Sequence, residues 1–216
     1  MTPNARLSIA TLFMIVFVAG TSVGASAAPA DSDADGIPDV AEALLGTDPL
    51  VADTDGDGLN DKADPKPLEM ADPIAQVGKP GGLAIASAIV ENNEDPVTHK
   101  GVPDHLEMII ENKSGADIKG IEVFVTLKDV VTGNTENTYR KLSGVSIAKG
   151  GSATLHFELT GSVDFAAATD RFRANPNSAL YKTPNEKTVD IEIAAAGYAP
   201  ARIAIKKDKG GAETAD

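Results

Sequence analysis

The 216-residue chain contains no cysteine, which excludes disulfide bonds and a lipid-modified N-terminal cysteine. Small proteins that work outside the cytoplasm without disulfides need another kind of staple, and a bound metal can serve as one. Tryptophan is absent and aromatic residues make up only 4% of the chain, so the core must be mainly aliphatic. The 20 glycines and 13 prolines favour strands and turns over a helical bundle.

Basic charge is scarce in one part of the chain. The net charge is −13, and most of it lies in residues 31–64, which contain eleven acidic side chains and a single lysine. A nucleic-acid-binding protein needs a basic face, so we expect no nucleic-acid partner. Because the acidic residues are concentrated in residues 31–64, their role should be sought in that segment.

Long apolar runs are also few, and the clearest one lies at the N-terminus. Residues 1–27 are typical of a secretory signal peptide, with a short basic segment, an apolar run over 7–20 and small residues at cleavage sites after Ala27 or Ala30. This run is shorter than the roughly 20 residues that a membrane-spanning helix needs. We therefore expect cleavage rather than a retained anchor, no stable membrane span afterwards, and a periplasmic, cell-surface or secreted protein.

The acidic region contains two twelve-residue segments with the same spacing of carboxylates. DSDADGIPDVAE begins at Asp31 and DTDGDGLNDKAD begins at Asp53, and both follow the calcium-loop pattern D-x-[DN]-x-[DN]-G. Carboxylates on alternate residues converge on one point only if the chain bends sharply around the ion. Gly36 and Gly58 at position 6 permit this bend. The sequence thus predicts about two Ca²⁺ ions.

The predicted ligands occupy positions 1, 3, 5, 7, 9 and 12 of each loop, with a backbone carbonyl at position 7 and carboxylates elsewhere. In chain order they are Asp31, Asp33, Asp35, Ile37, Asp39 and Glu42, then Asp53, Asp55, Asp57, Leu59, Asp61 and Asp64. Because Asp64 is one methylene shorter than Glu42, we predict that the second site binds more weakly, or completes its shell with water or with Asp48.

Two further points bear on these loops. Ala34 stands where the second loop has Gly56, and we expect this exchange to cost little. A solvated acidic linker is the alternative interpretation of so many like charges. The ligand spacing, repeated twice with its glycine at position 6, favours calcium over that alternative.

The stretch DSDADGIPDVAEALLGTDPLVADTDGDGLNDKADP resembles a tandem of bacterial thrombospondin type 3 repeats through its D-x-D-G-D-G-x-x-D and G-T-D-P patterns. The resemblance covers residues 31 to about 67 and implies calcium-dependent folding in extracellular, periplasmic or surface proteins. A calcium sensor needs a helix on each side of its loop. Here Gly46 and Pro49 leave only a turn or two of helix, from about Val40 to Leu45, so the calcium is predicted to be structural.

The remainder of the chain has the alternation of β-strands. Apolar residues recur at every second position around 106–110, 121–127, 153–159, 189–193 and 203–205, with turn residues between them. About seven strands of this kind predict a mainly β fold, an antiparallel immunoglobulin-like β-sandwich. The predicted organisation is a signal peptide at 1–27, a calcium-binding module at 28–67, a linker or irregular lead-in at 68–81, the sandwich at 82–207 and a disordered tail at 208–216.

Catalytic motifs are absent or weak. Ser146 and Lys149 match S-x-x-K, but the companion motifs are missing and the tetrad leads into a Gly-Gly turn. His99, His105 and His156 lie on different segments without ligand spacing, so we expect surface or strand-face histidines rather than a metal site. The sequence does not indicate an enzyme.

These observations predict an exported calcium-binding protein of a bacterial cell envelope. Structural calcium would stabilise the N-terminal module, and the β-sandwich would bind or adhere to an envelope protein or a glycan. A calcium-bridged subunit of a surface assembly, with self-association, is an alternative, and an accessory domain of an envelope hydrolase is another. The sequence does not identify the residues with which the sandwich would recognise a partner.

Overall fold

The computed structural model of the protein describes residues 28–91 and 105–209. The predicted signal peptide at 1–27 and residues 210–216 of the predicted tail lie outside the described residues. The elements of the described part are helices α1 (Asp39–Leu45) and α2 (Ala179–Lys182), and strands β1 (Leu83–Glu91), β2 (His105–Asn112), β3 (Ile118–Asp129), β4 (Thr135–Ile147), β5 (Ser152–Glu158), β6 (Arg171–Arg173), β7 (Lys187–Ala194) and β8 (Ala201–Lys207). Among these described helices, none has the length and apolar character needed to cross a bilayer.

The strands form two four-stranded sheets with the orders β1-β2-β5-β6 and β4-β3-β7-β8. Neighbouring strands run antiparallel except β5 and β6, which are parallel. The predicted mainly β sandwich is therefore confirmed. β6 is an addition, since its three residues lie outside the stretches in which the sequence shows strand alternation.

The core lies between the two sheets and follows the predicted alternation. Leu106, Met108 and Ile110 of β2 are buried while the residues between them are partly exposed. Phe172, in the middle of β6, is fully buried and stacks on Phe165 with ring centroids 5.5 Å apart. The core is thus mainly aliphatic, with an aromatic cluster beside the shortest strand.

The outer face of β3 is covered by the segment predicted as a linker or irregular lead-in. Phe124 alternates along β3 with the residues that face the core, yet it is buried because Ile74 packs on it together with Ala194. The backbone amide of Asn137 donates to the Leu68 carbonyl at 2.8 Å. This hydrogen bond anchors the start of the segment. Residues 68–81 therefore lie along the sheet as irregular structure.

The two edges of the sandwich differ in how closely the sheets contact each other. β1 packs against β8 along one side. At the other side, the edge strands are β4 and β6, and because β6 has only three residues a gap remains between the sheets. The acidic module lies against this side, above a cavity of about 100 Å³ whose lining includes Thr54, Leu106, Val123, Arg140, Phe157 and Arg173.

Candidate metal centre

The two acidic loops have the same backbone geometry, 22 residues apart. The Asp39 amide donates to the Ala30 carbonyl at 2.9 Å, and the Asp61 amide donates to the Ala52 carbonyl at 2.9 Å. These bonds close both loops at the same point. The repeated sequence spacing is therefore a repeated structure.

Three carboxylates converge in each loop. Asp31, Asp33 and Asp35 offer one oxygen each, and these three atoms lie within 4.8 Å of one another. The same holds for Asp53, Asp55 and Asp57. Backbone amides inside each loop fix the carboxylates: Gly36 donates to Asp31 at 3.1 Å and Gly58 donates to Asp53 at 2.9 Å. We call these two groups the first and second triads.

Several oxygens of these carboxylates are buried without a hydrogen-bond partner. They are Oδ2 of Asp33, Oδ2 of Asp35, Oε2 of Glu42 and Oδ2 of Asp55. Burying an ionised oxygen without a partner costs several kcal/mol at the least. A hard divalent cation with oxygen ligands supplies the missing partner, so the residues present fit Ca²⁺.

The raised pKa values of carboxylates in the loops also indicate that the loops lack a positive charge close to these groups. Burial, together with the negative charges of Asp33 and Asp35, raises the pKa of Glu42 to about 7. Burial likewise raises the pKa of Asp55 to about 6, with Asp57, Asp53 and Asp64 adding to the effect. Glu42 therefore interacts electrostatically with carboxylates of the first triad, and Asp64 interacts with Asp55 of the second triad. A bound cation would favour the ionised forms of all of them.

The predicted ligands at position 9 are held by the residue at position 2. Both oxygens of Asp39 accept hydrogen bonds from Ser32, from its amide at 2.8 Å and its hydroxyl at 2.7 Å. Both oxygens of Asp61 accept in the same way from the amide and hydroxyl of Thr54, at 2.8 and 2.7 Å. Asp39 and Asp61 thus lie outside the triads and lock the loops, and ligation of an ion by these two carboxylates stays a prediction. The Ser or Thr at position 2 of both loops was the available sequence signal.

The ligands predicted at position 12 differ in their surroundings. Glu42, carried by α1, is fully buried, and its Oε1 accepts a hydrogen bond from the Thr47 hydroxyl at 3.3 Å. Asp64 is partly exposed, and its Oδ1 accepts from the Lys66 amide at 2.7 Å. Ligation by the carbonyl groups of Ile37 and Leu59 stays a prediction.

Asp48, the candidate extra ligand of the second site, takes part in other contacts in this structure. Its Oδ1 accepts a hydrogen bond from the Leu50 amide at 3.1 Å and is paired with the Arg173 guanidinium of β6. This carboxylate therefore belongs to the contact between module and sandwich.

The bend at position 6 is confirmed, and the expectation for Ala34 is wrong. Gly36 and Gly58 have φ of 94° and 98°, values that glycine adopts without strain. Ala34 has φ of 61°, and its counterpart Gly56 has φ of 92°. An L-residue in this left-handed region costs about 1–2 kcal/mol. The alanine is thus a source of strain in the first loop.

Ala34→Gly is therefore expected to raise the free energy of unfolding by roughly 0.5–1 kcal/mol, since relief of the strain outweighs the added backbone entropy of glycine. Urea unfolding in saturating calcium measures the change. Ala52→Gly is the control, because Ala52 has no positive φ, and it is expected to lower the stability. A loss of stability in both variants would show that Ala34 is not strained.

The sandwich binds the module through backbone groups of the loops. In β4, the Tyr139 amide donates to the Asp55 carbonyl at 2.7 Å, and Arg140 Nη2 donates to the Thr54 carbonyl at 2.8 Å. Before α2, Asn175 Nδ2 donates to the Gly46 carbonyl at 2.7 Å. These bonds join segments about 80–130 residues apart in the chain and tie both halves of the module to the open side of the sandwich.

The positive charge of Arg140 also interacts with the negative charges of the module. Burial lowers the pKa of Arg140, and the carboxylates of Asp53, Asp48, Asp55 and Asp61 raise it. An arginine stays charged under these opposing effects because its ordinary pKa lies far above neutral pH. The acidic module is therefore docked on a partly buried cation of the sandwich.

The structure places His105 and His156 on strand faces, as expected, and brings them together across a strand pair. His105 on β2 and His156 on β5 are neighbours across the strand pair, with ring centroids 6.0 Å apart, and Glu107 lies beside them. Sequence spacing could not reveal this group because strand pairing creates it. His99 lies outside the described residues.

Comparison with solved structures finds likenesses of low similarity. β-Glucuronidase 2 of Bacteroides uniformis is 12% identical over 59% of this chain, with a TM-score of 0.31, and the match spans 13% of that protein. The sporulation control protein Spo0M of Bacillus subtilis is 14% identical over 58% of this chain and 48% of that one, with a TM-score of 0.27. Likeness at this level carries no conclusion about activity. No curated protein matches the chain.

Comparison with protein families is specific for the acidic region. The bacterial TSP3 repeat matches residues 31–52 and 53–63. Both matches begin at the first aspartate of a triad, and together they contain the two convergent groups of carboxylates. Residues 31–63 of this chain thus match two consecutive bacterial TSP3 repeats, and repeats of this kind bind calcium.

Proposed function

We propose that this is an exported calcium-binding protein of a bacterial cell envelope, in which structural calcium holds the module on a β-sandwich that binds an envelope protein or a glycan. The observation that carries the proposal is the pair of triads whose buried oxygens have no hydrogen-bond partner. The TSP3 repeats support a location outside the cytoplasm. The proposed role is binding rather than catalysis, supported by the weakness of catalytic motifs in the sequence.

The contacts of Asp55 and Thr47 support a structural role for the ions. The Asp55 side chain belongs to the second triad while its carbonyl accepts the hydrogen bond of the Tyr139 amide. The Thr47 hydroxyl bonds Glu42 while its carbonyl accepts from Asn177 Nδ2 at 2.7 Å. An ion that orders these side chains also orders the peptide groups that bind the sandwich.

The size of the effect is set by linkage between binding and folding. If the external calcium concentration is about 100 times the dissociation constant, each site stabilises the bound module by about 2.7 kcal/mol. A small module whose carboxylates repel one another without metal gains most of its order from this term. Helix α1, with seven residues, is also too short to act as the moving arm of a sensor.

Calorimetry on the chelator-stripped chain tests the proposal. Injected CaCl₂ is expected to bind at about two sites, and hydrogen exchange is expected to slow both in residues 31–64 and at the Tyr139 amide. Glu42→Gln should weaken binding more than Asp64→Asn, because Glu42 is fully buried and Asp64 is partly exposed. Absence of calcium-dependent heat and exchange would overturn the proposal.

Light scattering on the same samples distinguishes the bridged assembly from the structural role. A monomer at every calcium concentration supports the structural role. A mass that rises reversibly with calcium would instead place the ions between neighbouring subunits, and would replace this proposal by the calcium-bridged assembly.

A further inference from the structure

A second group of metal-ligating side chains lies on the outer face of the β1-β2-β5-β6 sheet, away from the TSP3 repeats. Glu107 and His156 are directly opposite in the β2–β5 register, and His105 is two residues before Glu107 on the same face of β2. One ligating atom from each residue lies within 4.8 Å of the other two. His156 Nδ1 is 3.6 Å from Glu107 Oε2.

The surroundings of this group are those of a partly enclosed site. The side chains of His156 and Glu107 are 18% and 25% exposed. His156 Nδ1 is buried and makes no hydrogen bond within the described residues. The nearest cation across the sheet, Arg171, is opposite His156 in the β5–β6 register but is paired with Glu158 at 2.7 Å. A metal ion between His156 Nδ1 and Glu107 Oε2 would supply the contact that this buried nitrogen lacks within the described residues.

From this geometry we infer that His105, Glu107 and His156 bind Zn²⁺. Two imidazole nitrogens and one carboxylate oxygen form a donor set that suits a borderline ion such as zinc and does not suit calcium, which takes oxygen ligands. Tetrahedral zinc with bonds of about 2.0–2.1 Å needs ligand atoms roughly 3.4 Å apart. The three ligand atoms, which lie within 4.8 Å of one another, would have to move to that distance by side-chain rotation on binding the ion.

Zinc calorimetry on the full chain in excess Ca²⁺ tests the inference, because calcium then occupies the TSP3 loops. One zinc ion is expected to bind per chain. Glu107→Gln and His156→Ala should each weaken zinc binding by about 100-fold or more, since loss of a ligand exceeds the 10–100-fold cost of losing an outer partner.

Glu111→Gln is the matched control. Glu111 lies on the same face of the same strand and is paired with Lys113 at 2.5 Å, so its charge is lost without loss of a predicted ligand. Its zinc affinity should equal that of the wild type. An equal loss in Glu111→Gln would show that general acidity, and not this site, attracts the ion.

Cobalt substitution provides a readout that a structural change alone would not produce. Co²⁺ in the wild type should give the visible absorption of a tetrahedral site with nitrogen ligands, and His105→Ala should abolish it while thermal unfolding without metal confirms that the variant is folded. Failure of zinc to bind, or zinc binding unchanged in both His105→Ala and His156→Ala, would overturn the inference.

Discussion

Arg173→Met is expected to lower the free energy of unfolding by about 3 kcal/mol, because it leaves a buried carboxylate without its cation. Arg173 and Asp48 form an ion pair in which the side chains are only 12% and 3% exposed. The pair joins β6 to the module across 125 residues of sequence. Urea unfolding in saturating calcium measures the loss.

Arg171→Met is the matched control, since Arg171 lies on the same strand and pairs with Glu158 while its own side chain is 57% exposed. Exposed pairs contribute about 0–1 kcal/mol, so this variant should remain close to the wild type. Asp48→Asn combined with Arg173→Met should recover part of the stability, because no unpaired charge remains. If the double variant is as unstable as Arg173→Met alone, the charge of Asp48 is not the cause.

Gly56→Ala is expected to separate the second loop from β4 and to cost about 3 kcal/mol in saturating calcium. A Cβ at Gly56 would lie 2.3 Å from the Tyr139 carbonyl oxygen, too close for any real contact, and the φ of 92° is itself unfavourable for alanine. The overpacking contributes about 1–3 kcal/mol and the backbone strain about 1–2 kcal/mol. Chemical unfolding gives the total, and hydrogen exchange at Tyr139 reports on the contact.

Gly58→Ala separates these two causes. Gly58 has φ of 98°, but a Cβ there would meet nothing within 4 Å. This variant should lose only about 1–2 kcal/mol, and the Tyr139 amide should stay protected. Equal losses and equal exchange in the two variants would show that the approach to β4 does not stabilise the module.

Much of the candidate site was predictable because its determinants are local. The carboxylates at positions 1, 3 and 5 and the glycine at position 6 lie within six residues, and a bend of that length is decided by the residues that form it. The strand alternation around Leu106 is local in the same sense, since successive side chains of a strand point to opposite faces. Residues of this kind predicted both the convergent loops and the sandwich.

Other features depend on which segments meet, and only the tertiary structure decided them. Phe124 follows the outward alternation of β3 but is buried, because residues 68–81 cover that face of the sheet. His105 and His156 become neighbours through the β2–β5 register, and Asp48 meets Arg173 across 125 residues. The sequence by itself determined the calcium-loop chemistry and the β fold, which arise from short-range spacing. The docking of the module and the histidine group depend on long-range pairing, which no local period encodes.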